Sequence, residues 1–119
     1  TDPNVDPRKC AVGMACAAQA VRDGHNVEIF FASHAVLLQE AYLSALDGRA
    51  STPAGTCRGF FTTLVEGGAG IHCSTGSQAV VGVTPDDPDQ VLIQGYTLNW
   101  SSPQGVVALS SSSEIQLVY

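Results

Sequence analysis

Short apolar runs alternate along this chain with longer stretches in which apolar positions recur at helical spacing. "PRKCAVGMACAAQAVRDG" predicts a first helix, with Asp6 placed to cap it, Pro7 at the first helical position and Gly24 as the stop. "NVEIFFAS" is a brief β-branched and aromatic run between polar residues, which predicts a strand. Because nearly every position from Ile29 to Ala32 is apolar, that strand is expected to be buried on both faces, as in a parallel sheet.

Helical spacing returns in "HAVLLQEAYLSAL", a polar loop "DGRASTPAGTC" follows, and "GFFTTLVEGG" predicts a short helix ending on paired glycines. "AGIHC" predicts the next strand. "PDDPDQVLIQGYTLNW" leads through a turn or helix into a strand around Tyr96 to Leu98. "SSPQGVVALSSSS" predicts a helix opened by Ser102 and Pro103, and "EIQLVY" a closing strand. No repeat and no linker-like boundary appears, so residues 1–119 are expected to form one domain. Helices alternating with buried strands predict an α/β layered fold with a mainly parallel sheet, whose reactive groups gather at the carboxyl ends of the strands. Ser33, His34 and Cys73 fall at two such ends.

Composition narrows the partners. Only 13% of residues are charged, about half the usual share, which points towards surface covered by other subunits. A net charge of −6 with five Lys and Arg argues against nucleic acid and against anionic membrane surfaces. No apolar run approaches the length of a membrane span. "TDPNVDPRK" lacks the apolar region of a signal peptide and an initiator Met, so a processed, trimmed or incomplete chain is expected. The four cysteines show no C-x-x-C spacing and make no metal pattern with His25, His34 and His72. Reduced thiols in a cytoplasmic protein, with no metal and no cofactor, are the expectation.

Cys73 is the leading candidate for chemistry, because it stands where the apolar run of "GIHCSTGSQA" stops and small polar residues begin. Thiol chemistry needs a thiolate, and positive charge or helix N-terminal amides supply it. The backbone amides of Ser74, Thr75, Gly76 and Ser77 are placed to turn towards the sulfur, but no Lys or Arg lies near in sequence. His72 adjoins Cys73, yet neighbours on a strand point to opposite faces, so a packed or solvent-facing histidine is expected there. His34 is expected on the same rim as Cys73. Cys57 is a second candidate thiol, just before a helix and beside Arg58. Cys10 and Cys16 read as small core residues. Ala79 stands where a cysteine phosphatase needs its Arg, no G-x-S-x-G elbow exists, and "PDDPD" reads as a solvated turn.

"AAQAVRDGHNVEIFFASHAV", "GAGIHCSTGSQAVVGV" and "SPQGVVALSSSSEIQLVY" together resemble the DsrE/DsrF-like (YchN-like) family. Gly24, His25 and Val27 match the family's G-H-x-V helix end, and Cys73 followed by Gly82 matches its strand-end cysteine and later glycine. The resemblance implies a single three-layer α/β/α domain with a parallel sheet, assembled as a homo-oligomer, a trimer or hexamer. It also implies a persulfide carrier at Cys73 that exchanges sulfur with donor and acceptor proteins. The family's first buried strand has no counterpart before "TDPNVDP", so either residues upstream of Thr1 or a rearranged sheet is expected. Two readings from other classes stand beside the carrier: a non-catalytic oligomeric binding module, and a structural subunit of a family complex.

Overall fold

Asp6 opens the first helix by accepting a hydrogen bond from the Lys9 amide at 3.1 Å, and Pro7 follows at the first helical position. Helix α1 then runs over Pro7–Arg22, and the chain turns at Gly24 into strand β1, Glu28–Phe31. The computed structural model describes residues 1–36, 55–82 and 98–119. A 3-10 turn, Ser33–Val36, follows β1; the rest of the helix predicted from "HAVLLQEAYLSAL" lies outside the described residues, as does "PDDPD". Helix α2 spans Cys57–Glu66, strand β2 Gly70–Ser74, helix α3 Thr75–Val81, strand β3 Asn99–Ser101 and helix α4 Pro103–Ser112.

The fold is mixed α/β with a parallel sheet, as the alternating pattern predicts. Its three strands pair in chain order, β1 with β2 and β2 with β3, both parallel. The register sets Ile29 beside Ile71 and Phe31 beside Cys73, with Cys73 in turn beside Trp100. The strands therefore meet without a gap, which answers the alternative of a rearranged sheet in favour of direct pairing.

One face of this sheet makes the core. Ala11, Met14 and Ala18 form a stripe on α1, which meets Cys57, Phe60, Phe61 and Leu64 of α2 over Ile71. The small stripe residues let the two helices approach closely, while two phenylalanines fill the space below. Ile29, Phe31 and Leu98 pack around the rim of this cluster. The opposite sheet face is of another character: Phe30 stacks on His72 with centroids 6.4 Å apart, beside Glu28 and Asn99.

Three expectations are corrected. β1 is only half-buried at Ile29, Phe30 and Phe31 and exposed at Glu28, because no strand among the described residues covers its outer edge. The strand predicted at Tyr96 to Leu98 instead occupies Asn99–Ser101, where the parallel register with His72 to Ser74 begins. "EIQLVY" joins no sheet. Leaving α4, it is tied back by Gln116 Nε2 donating to the Ser110 carbonyl at 2.7 Å, and the Tyr119 ring settles against α1 at Gly13. A side chain at position 13 would meet that ring at 3.0 Å, so only glycine leaves the seat open.

Phe60→Ala should therefore cost about 3–5 kcal/mol, read as a lower midpoint in urea unfolding. Val107→Ala, on the exposed side of α4, should stay within about 0.5 kcal/mol of the parent chain.

Candidate functional site

The carboxyl ends of the three strands are knitted by hydroxyl groups. Ser74 caps α3 by accepting from the Ser77 amide at 3.1 Å, and the Ser77 hydroxyl accepts from the Ser33 amide at 2.8 Å, joining the ends of β2 and β1. Thr75 Oγ1 donates to the Ser101 carbonyl at 3.2 Å, which draws in the end of β3. Ser33 holds a left-handed backbone with φ of 55°, uncommon for a residue with a side chain, and its bond to Ser77 helps to hold it there. α3 closes at Gly82, whose φ of 78° suits the left-handed cap that a residue without Cβ adopts at least cost.

Of the predicted binding residues, Ser74, Thr75 and Ser77 thus meet in one hydroxyl-lined rim with Ser33, and Gly76 lies exposed beside them. His34 lies next to this rim, exposed, with Nδ1 at 3.3 Å from the Ser33 hydroxyl and 3.9 Å from the Asp2 carboxylate. Ser101 and Gln78 belong to the same neighbourhood and were not singled out by sequence. The amide oxygen of Gln78 is buried without a hydrogen-bond partner, an acceptor at the base of the rim. Sequence carried a weak trace of Ser101 in "SSP", which reads first as a helix opening.

Cys73 lies beneath this rim rather than on it. Strand alternation turns Ile71 and Cys73 to the helix-covered side, and Cys73 is 0% exposed. Burial pushes its thiol up from an ordinary 9.0 to about 12, since a thiolate there would lose its hydration and gain no counter-charge. The start of α3 does follow at Thr75, but desolvation is the only influence resolved at the sulfur.

His72 points the other way, as strand alternation requires. Its Nε2 lies 2.7 Å from Glu28 Oε2, so its partner is a carboxylate across the sheet and not the neighbouring thiol. Cys57 is the first residue of α2 and is buried in the core with Phe60 and Met14, instead of riding in a loop over the strand ends. Thr56 caps that helix, its Oγ1 accepting from the Gly59 amide at 3.1 Å.

The core reading of the α1 cysteines needs correction. Cys10 is half-buried, and burial raises its thiol first, with the nearby Asp6 and Asp2 adding to the effect. Cys16 is exposed and bonds the Tyr119 phenol, which is held above its ordinary value chiefly by that bond. The two residues are six apart, so the stripe that buries Ala11, Met14 and Ala18 leaves Cys16 outside it. None of the four cysteines is in a disulfide. Among the described residues no cluster of three His, Cys, Asp or Glu suits a metal ion, and no helix is long and apolar enough to cross a membrane. Compared with known proteins, the chain matches no protein-family model, no curated protein and no solved structure.

The Cys73 thiol gives stability a definite pH dependence. Its folded pKa is raised, so the native state keeps a proton that the unfolded chain loses above about 9. The contribution is fully present below pH 9 and is lost as pH rises towards 12. Urea unfolding between these values should show a fall in stability that is shallower in Cys73→Ala than in the parent. Equal slopes in the two chains would contradict it.

Proposed function

We propose that this chain is a non-catalytic, self-associating binding module, with its ligand-facing surface at the hydroxyl rim of Ser33, Ser74, Thr75 and Ser77. The observation that carries this reading is the complete burial of Cys73 with its thiol held protonated. A carrier cysteine must be reachable and ionised, whereas a small sulfur-bearing side chain under a polar rim serves packing. Hydroxyls and the unpartnered Gln78 oxygen suit a small neutral ligand with hydrogen-bond donors.

Self-association is supported by α4, which buries none of its residues and exposes Val106 and Val107, and by the low charged fraction of the chain. A three-layer arrangement of the family type and a cytoplasmic setting belong to the same reading. Four thiols outside any disulfide suit a reducing compartment.

A second reading, a DsrE-like persulfide relay through Cys73, is favoured by one specific feature: the cysteine ends a parallel strand directly before a capped helix start. Donor and acceptor proteins would then meet the rim in turn.

Timed alkylation followed by mass analysis separates the two. Under the binding-module reading Cys16 is modified first and Cys73 only on unfolding, with no sulfur retained after incubation with a persulfide donor. A gain of one sulfur atom that disappears in Cys73→Ser would overturn that reading in favour of the relay.

A further inference from the structure

We infer that the segment Glu114–Val118 of one copy adds as an antiparallel strand to the open edge of β1 in a second copy, each tail crossing to its neighbour. This rests on the self-association proposed above and names its interface. Two unsatisfied elements of one chain carry the inference.

The first is the tail. Ile115, Leu117 and Val118 are 78%, 68% and 93% exposed, a concentration of bare apolar side chains found nowhere else among the described residues. Their sequence is β-prone, yet their amides donate to no backbone carbonyl among those residues. The tail is nonetheless held along the surface, by Gln116 on Ser110 at one point and Tyr119 on Gly13 at another. A segment already restrained loses less freedom on pairing than a loose one.

The second is the edge. β1 pairs only with β2 among the described residues, so its other side presents unpaired amides and carbonyls. "EIFF" carries none of the devices that blunt an edge: no proline, no lysine and no bulge. Ile29 and Phe31 face the helix-covered side but stay only half-buried, so an added strand has apolar surface to cover.

Charge selects the direction. Glu28 begins β1 and Glu114 begins the tail, so a parallel arrangement brings two carboxylates together, while an antiparallel one keeps them at opposite ends. Alternation then selects the register. Ile115 opposite Phe31 and Leu117 opposite Ile29 put all four apolar side chains on the helix-covered face, with Gln116 opposite Phe30 on the other. Exchange in both directions makes a closed, two-fold assembly, which does not propagate into fibres.

Sedimentation equilibrium and amide hydrogen exchange on residues 1–119, across a range of concentrations, test this interface. The expected result is a dimer in which Ile29–Phe31 and Ile115–Val118 slow together by about tenfold or more as concentration rises. Leu117→Pro, an exposed change that leaves the protomer's circular dichroism intact, should abolish both protections and the dimer. An assembly that leaves both segments unprotected would overturn the interface while sparing self-association. Protection of β1 that survives in Leu117→Pro would overturn it in favour of edge-to-edge pairing. A monomer at every concentration would overturn both the interface and the self-association.

Discussion

The contact between α1 and α2 over Ile71 is the constraint on which the rest of this fold depends. Three parallel strands of three to five residues have little strength by themselves, and only one face of their sheet is closed by a well-filled apolar cluster. Phe60, Phe61 and Leu64 supply most of the buried volume, and the small residues of α1 let it close down on them. Everything at the strand ends inherits its position from that packing. Cys73 is sealed because Ile71, two residues earlier on the same side, is already committed to the cluster. The hydroxyl rim exists because the three strands end level, and their ends are level because the register below is fixed.

Burial and polarity are separated here by very short distances along the chain. Cys73 is fully enclosed; Ser74, the next residue, caps a helix and faces the rim; Ser77 reaches across to the end of β1. The same alternation that hides the sulfur presents His72 to Glu28 and Phe30 on the far side of the sheet. A cysteine at a strand's carboxyl end is thus ambiguous in a way that residue type cannot resolve. One step along the strand separates a reachable thiol from a packing residue.

Much of the architecture is legible in the residues themselves. Asp6 and Pro7 mark the start of α1, the apolar runs around Ile29 and Ile71 mark two of the strands, and alternation alone separates His72 from Cys73. What escapes is set by long-range contact. β1 reads as buried on both faces from its apolar residues, but its place in the strand order leaves it at an edge. "EIQLVY" has every local mark of a strand and takes none of the sheet, since α4 delivers it to the α1 surface where Tyr119 finds Gly13. Cys16 has the composition of a core residue, but helical phase turns it outwards. The rim follows the same logic: Ser74 to Ser77 are adjacent in sequence, while the links to Ser33 and Ser101 depend on which strands become neighbours.

Parallel pairing has a consequence for how the chain is made. Glu28 finds its partner only at Gly70, so "EIFF" must emerge from the ribosome and wait for more than forty further residues before its first strand neighbour exists. At ordinary synthesis rates that interval lasts roughly two to nine seconds, far longer than local helix formation takes. Throughout it, α1 is complete but has no α2 to close upon, and the most apolar run of the amino-terminal third stands bare. The nascent chain is therefore most in need of a chaperone during this interval, before the second strand has been made.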